Sequence, residues 1–131
     1  MVKSLGYKVL FISWMMFVTF FSLFSLSKVD TSRFDIPHID KAVHFTFYFV
    51  MVILAFMAKT KGEWQDSRHK LKLLWYIVLF AILYGIVIEV IQHVATVDRH
   101  GDPLDAIANS TGAIAGMFIL RHLFLRKRSL K

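Results

Sequence analysis

The chain has 131 residues, of which 56% are hydrophobic, and it carries a formal net charge of +7 and no cysteine. Soluble domains are only about 45–50% apolar, so this composition indicates a membrane protein. The lack of cysteine excludes disulfides, thiolate metal sites and cysteine nucleophiles. The positive charge does not indicate a nucleic-acid partner, because the basic residues lie between and beyond apolar runs and not along one face. We therefore predict one membrane domain over residues 1–131.

Four apolar stretches, taken in chain order, are each long enough for a transmembrane helix. The first is an uncharged run of 18 residues. As a helix it spans about 27 Å, which is enough to cross a bilayer core. The fourth stretch is the weakest, because it contains Asp105 and Asn109. The predicted spans cover residues 9–26, 41–58, 72–93 and 104–124.

The distribution of charge decides the number of spans. Twelve of the 16 lysine and arginine residues lie before the first span, around the loop between the second and third, or at and beyond the end of the fourth. Cytoplasmic loops carry the excess of such residues, so both termini are expected in the cytoplasm. Two termini on one side require an even number of spans. The predicted fold class is an all-α, integral membrane bundle of four transmembrane helices with cytoplasmic N and C termini.

The first span also has features of a cleavable signal peptide. Lys3 and Lys8 form a basic start, and Ser25-Leu26-Ser27 has the small-x-small pattern of a cleavage site. We expect the span to be retained, because its apolar run is longer than the about 7–15 residues of a signal peptide. Cleavage would leave three spans with the same outer face, so the site predicted below does not depend on this question.

Ionisable side chains are costly inside a membrane, so each one marks a candidate site. The second and fourth spans begin, and the third ends, at the predicted outer face, and each carries polar residues on one helical face. Glu89 lies about 24 Å along its helix from Leu73, in the outer third of the bilayer core. We call the candidate ligand-binding residues of this region the polar layer: Lys41, His44, Tyr48, Glu89, Gln92, Arg99, Asp105 and Asn109.

Several of these residues also have structural interpretations. Asp102 is well placed to cap the fourth helix, and Asp105 suits its positive first turn. Lys41 can extend to the interface, and either Lys41 or Arg99 can pair with Glu89. Arg99 can also pair with Asp105.

Small residues recur at four-residue steps in the fourth span, at Ala108, Gly112 and Gly116. This pattern lets membrane helices approach closely, so Gly112 and Gly116 are assigned to helix packing. The partner can be another helix of the chain or a second copy in a homo-oligomer, and the sequence leaves both open.

Three separated motifs resemble the VanZ-like family of bacterial integral membrane proteins. They are Asp40-Lys41-x-x-His44-Phe45-x-x-Tyr48, Glu89-x-x-Gln92, and Arg99-x5-Asp105-x3-Asn109-x-x-Gly112-x3-Gly116. The stretch His100-Gly101-Asp102-Pro103 departs from the family pattern. The resemblance implies a multi-pass protein of the bacterial cytoplasmic (inner) membrane with a link to glycopeptide resistance, but it supplies no reaction.

Three functional hypotheses follow. In the favoured one, the polar layer binds an amphiphile, such as an envelope lipid or a glycopeptide-type molecule, with its head in the layer and its tail in the bilayer. In the second, the protein is an enzyme that acts on a lipid-linked envelope substrate with Glu89, His44 and Asp105 as acid–base groups. In the third, the polar groups only lock the bundle together through hydrogen bonds and ion pairs.

Membrane lipids are the expected partners, since the basic cytoplasmic ends can hold anionic headgroups. We assign no catalytic residue and expect no cofactor. His44, Glu89, His93 and Asp105 could together hold a divalent metal through two imidazoles and two carboxylates. We nevertheless expect no metal, because the chain has no HExxH motif and the two histidines lie on different helices.

Overall fold

The computed structural model describes residues 2–23, 39–61, 68–95 and 102–128. Over these ranges the chain forms four α-helices: α1 (Val2–Leu23), α2 (Ile39–Thr60), α3 (Arg68–Ala95) and α4 (Pro103–Arg128). All four of these described helices are long and apolar enough to cross a membrane. The predicted all-α fold with four membrane-crossing helices is therefore confirmed, whereas the cytoplasmic position of the termini stays a prediction.

The helices extend beyond the predicted spans. α1 begins at Val2 and not at residue 9, and α3 begins at Arg68 and not at residue 72. The predicted spans followed the apolar runs, whereas lysine and arginine favour helix and carry it on into the interface. α2 ends where Lys61 adopts a left-handed backbone conformation, with φ of 56°, which closes a helix C-terminus. Residues 24–26 of the first predicted span lie outside the described residues.

α2 lies at the centre of the bundle and packs against each of the other three helices, most extensively against α4. Its buried residues recur at steps of three or four and so form one stripe along the helix. The stripe includes Tyr48, Met51, Val52, Ala55 and Phe56. Because α2 packs against three helices, its first turns, which carry Lys41 and His44, lie against α3 and α4.

Two glycines of α4 lie directly against the backbone of α2. A Cβ atom added at Gly112 would be 2.1 Å from the carbonyl oxygen of Phe45, and one added at Gly116 would be 3.0 Å from that of Phe49. A side chain at Gly112 would therefore force the two helices apart. The face of small residues on α4 packs against another helix of the same chain.

α1 docks onto α2 and α3 through a few specific contacts. The indole N–H of Trp14 donates a hydrogen bond of 2.9 Å to the carbonyl oxygen of Phe47 on α2. The hydroxyl groups of Thr19 and Tyr84 join α1 to α3. The ring of Phe17 packs on Trp14 and edge-on to Phe47, which adds aromatic contacts to the same interface.

The outer surface of α3 is covered with large apolar side chains. Trp75, Tyr76, Leu83, Val87 and Val90 are all more than half exposed. A continuous exposed surface of this kind is unfavourable in water and suits contact with lipid tails.

Candidate functional site

One end of the bundle gathers polar side chains from α2, α3 and α4, together with a backbone carbonyl group of α1. α2 and α4 begin at this end, and α1 and α3 finish there. The Lys41 ammonium lies 2.5 Å from Asp102 and 2.8 Å from Asp105. The Gln92 amide donates a hydrogen bond of 2.5 Å to the Ser22 carbonyl oxygen. Aspartates are favoured at the starts of α2 and α4, because a helix N-terminus carries partial positive charge.

Lys41 is shared by three carboxylates. Its Nζ lies 2.8 Å from Asp40 Oδ2, 2.5 Å from Asp102 Oδ2 and 2.8 Å from Asp105 Oδ1. The first two contacts are hydrogen bonds, whereas the approach to Asp105 is an ion pair that is not aligned as a hydrogen bond. The hypothesised pair between Lys41 and Glu89 is therefore wrong, because the lysine turns towards α4 and its own helix start.

Asp102 has two roles that involve different oxygens. Its Oδ1 accepts a hydrogen bond of 2.8 Å from the backbone N–H of Leu104, so the expected cap of α4 is present. Its Oδ2 accepts the hydrogen bond from Lys41. This bond, together with that from Leu104, holds the pKa of the Asp102 carboxyl below its ordinary value. The second role was not predicted from the sequence. The spacing of three residues between Asp102 and Asp105 was the signal that could have indicated it.

A buried network joins α2, α3 and α4. His44 Nδ1 lies 3.1 Å from Asn109 Oδ1, and Asn109 Nδ2 donates a hydrogen bond of 3.3 Å to Glu89 Oε1. His44 also lies between two carboxylates, with Nδ1 3.7 Å from Glu89 Oε1 and Nε2 3.7 Å from Asp105 Oδ2. His44, Glu89 and Asn109 are buried. The three helices therefore meet at one imidazole.

Glu89 has one oxygen inside this network and one outside it. Its Oε2 is buried and has no hydrogen-bond partner among the described residues. Glu89 also borders an open cavity of about 210 Å³ between the end of α3 and the start of α4, together with Val90, His93, Asp102 and Pro103. A buried carboxylate oxygen without a partner is destabilising, so this oxygen marks the place where a ligand or water would be stabilising.

The other predicted residues lie at the margins or outside the description. Tyr48 is fully buried one turn deeper than His44, and its hydroxyl has no hydrogen-bond partner in the described part of the chain. Gln92 ties α3 to α1. Arg99 lies outside the described residues, and so do its hypothesised pairs with Asp105 and with Glu89. The structure brings together Lys41, His44, Glu89, Asp105 and Asn109.

The group formed by His44, Glu89 and Asp105 has a defined chemical capacity. One candidate ligand atom from each residue lies within 4.8 Å of the other two. An imidazole between two carboxylates can pass protons, and the same three groups can ligate a divalent cation. The protein thus carries a buried polar group of histidine, glutamate and aspartate within its membrane-crossing helices.

The chain matches a known protein family. The family described as VanZ/LLP1 matches residues 4–126, a range that includes every residue of the polar layer. No curated protein and no solved structure matches the chain. The resemblance inferred from the three sequence motifs is confirmed.

Proposed function

The chain belongs to the VanZ/LLP1 family, and we propose that it binds the headgroup of a membrane amphiphile in the cavity beside Glu89, at the outer face of the membrane. Glu89 Oε2 carries this proposal, because it is buried, lacks a hydrogen-bond partner among the described residues and belongs to a side chain that lines the cavity. A headgroup that donates a hydrogen bond to this oxygen would satisfy it. Amines and hydroxyls are such donors, and envelope lipids and glycopeptide-type molecules carry both.

The charges around the cavity favour a headgroup that donates hydrogen bonds over an anionic headgroup. Glu89 and Asp102 both line it, and the neighbouring Lys41 is already shared by three carboxylates. Clefts lined by one sign of charge concentrate ligands of the opposite sign. His93, which is exposed on the rim, offers a further polar contact.

The apolar surroundings favour an amphiphile over a water-soluble ligand. Val90 and Pro103 complete the lining of the cavity. Beyond it, Val94 is 78% exposed, and Leu104 and Ile107 are also more than half exposed. This surface of α3 and α4 would hold the tail within the bilayer while the head reaches Glu89.

The first experiment measures how much amphiphile stays bound to the protein during purification. Full-length chain is purified from its host membrane in mild detergent, and the bound molecules are quantified by native mass spectrometry and by extraction. We expect Glu89→Gln, which keeps the shape of the side chain, to retain roughly 10- to 100-fold less amphiphile, because a hydrogen bond to a charged group contributes about 1.5–3 kcal/mol.

Asp40→Asn is the matched control. It makes the same acid-to-amide change on a carboxylate that is 56% exposed and does not line the cavity. We expect it to retain the amphiphile like the wild type. Equal retention by the wild type and Glu89→Gln, or a wild type with no bound amphiphile, would refute the proposal. The role in glycopeptide resistance is tested by growth, since cells that express the wild type should tolerate more glycopeptide than cells that express Glu89→Gln.

An enzyme is the second candidate, because His44 lies 3.7 Å from a carboxylate oxygen on each side. In this case the wild type converts a lipid-linked envelope substrate, and Glu89→Gln binds the substrate but leaves it unchanged. If the polar layer is purely structural, the expected result is different again. Glu89→Gln then lowers the stability of the delipidated protein, and no ligand or product is found. The three outcomes differ, so one set of purified variants distinguishes them.

A further inference from the structure

We propose that His44, Glu89 and Asp105 bind a divalent transition-metal ion of the Zn²⁺ or Mn²⁺ type. The three residues come from α2, α3 and α4, and their candidate ligand atoms lie within 4.8 Å of one another. His44 and Glu89 are buried, and the Asp105 side chain is 14% exposed. This proposal shares Glu89 with the proposed amphiphile site but does not depend on amphiphile binding, since its test counts bound metal and not bound lipid.

The hydrogen bond to Asn109 directs one nitrogen of His44 towards Asp105. Asn109 donates its amide N–H to Glu89, so its carbonyl oxygen faces His44 Nδ1. A carbonyl oxygen only accepts, so Nδ1 carries the hydrogen and the lone pair of the neutral ring is on Nε2. Metal-binding histidines commonly have this arrangement, in which the non-ligating N–H donates to a fixed acceptor.

The distance from Nε2 to Asp105 fits joint ligation. Nε2 lies 3.7 Å from Asp105 Oδ2. Two ligands held at about 2.0–2.2 Å from a tetrahedral metal lie roughly 3.4 Å apart, so only a small contraction is needed. Without a cation or a proton between them, this lone pair and a carboxylate oxygen would face each other unfavourably. The other oxygen of Asp105 is occupied by Lys41.

Glu89 supplies the third donor. Its Oε2 has no hydrogen-bond partner in the part of the chain that the structure describes, although the residue is only 7% exposed. No described lysine or arginine pairs with it, because Lys41 is engaged by Asp40, Asp102 and Asp105. One of its carboxylate oxygens lies within 4.8 Å of the candidate ligand atoms of the other two residues. A bound cation would neutralise this acid, which has no lysine or arginine partner among the described residues.

The donor set indicates the class of metal. One imidazole nitrogen with two carboxylates suits Zn²⁺ or Mn²⁺, whereas Mg²⁺ prefers oxygen donors and retains its water. Three protein ligands leave at least one coordination position open. The cavity bordered by Glu89 gives this position a route to the outside.

The experiment uses Mn²⁺ as the probe, because its electron spin reports directly bound nitrogen. Full-length chain in lipid nanodiscs is stripped with a chelator and titrated with Mn²⁺. Bound Mn²⁺ is counted by electron paramagnetic resonance, and coupling to ¹⁴N is measured by spin-echo modulation. We expect about one Mn²⁺ per chain with the coupling of one imidazole, displaced by Zn²⁺, which sites of this kind bind more tightly.

Two histidine variants identify the residue that supplies the nitrogen coupled to Mn²⁺. His44→Gln should lose the ¹⁴N coupling and bind Mn²⁺ at least about 10-fold more weakly, as expected when a ligand is removed. His122→Gln, the same change at an exposed histidine that does not line the cavity, should keep both. The wild-type measurement decides the question even if His44→Gln fails to fold. A wild type with no stoichiometric Mn²⁺, or with bound Mn²⁺ that lacks ¹⁴N coupling, would overturn the proposal, as would a folded His44→Gln that keeps the coupling.

Discussion

Replacing Gly112 by alanine tests the packing that brings the site together. The added Cβ would lie 2.1 Å from the Phe45 carbonyl oxygen and 2.9 Å from the Phe45 carbonyl carbon. Ordinary van der Waals contacts begin near 3.4 Å. The helix α4 therefore has to move away from α2 by about 1.3 Å, the difference between 3.4 Å and the 2.1 Å to the carbonyl oxygen. The obstacle is helix backbone, which cannot turn aside as a side chain can.

Two effects add to the loss of stability. Forcing extra volume into a packed interface costs about 1–3 kcal/mol, and a clash with backbone belongs near the top of that range. The same displacement lengthens the contact of 3.1 Å between His44 and Asn109, one turn from Gly112, beyond hydrogen-bond distance. A hydrogen bond between membrane helices contributes about 0.6 kcal/mol on average. We expect the free energy of unfolding to fall by about 3 kcal/mol in total.

The assay is unfolding by sodium dodecyl sulfate in mixed micelles, followed by far-ultraviolet circular dichroism. Gly6→Ala is the matched control, because nothing lies within 4 Å of its added Cβ. Gly116→Ala should fall between the two, since its Cβ would lie 3.0 Å from the Phe49 carbonyl oxygen. If Gly112→Ala and Gly6→Ala unfold at the same detergent fraction, the close approach of α2 and α4 is not as described and the reasoning is refuted.

Two further variants test other contacts in the same titration. Lys41→Met removes the cation shared by the aspartates at the start of α4, and the free energy of unfolding should fall by about 2 kcal/mol, between the values for exposed and buried ion pairs. A change below about 0.5 kcal/mol would show that these carboxylates do not need the lysine. Trp14→Phe removes the hydrogen bond to the Phe47 carbonyl oxygen and should lower the free energy of unfolding by about 1 kcal/mol. Trp75→Phe, at a residue 59% exposed, is its control, and equal effects would contradict docking of α1 through Trp14.

Part of the site could be predicted from the sequence, because depth along a helix follows from residue spacing. The rise of 1.5 Å per residue placed His44, Glu89 and Asn109 at one level, and the structure has these three side chains in one buried network. The partner of Lys41 could not be predicted in this way. Its choice between Glu89 and Asp102 depends on how α4 is rotated about its axis, and spacing along one helix contains no information about the rotation of another.

The sequence by itself determined that the chain has four apolar helices and that polar residues collect at the ends where three of them meet. Both follow from local properties, namely the length of each apolar run and the periodicity of an α-helix. Only the tertiary structure decided that α2 is the central helix, that Gly112 lies against Phe45, and that Glu89 keeps one oxygen beside a cavity. The physical reason is that faces towards lipid and towards other helices are equally apolar, so hydropathy does not distinguish them. The close packing of small residues sets the distances between helices, and these distances decide which charged groups come within reach of one another.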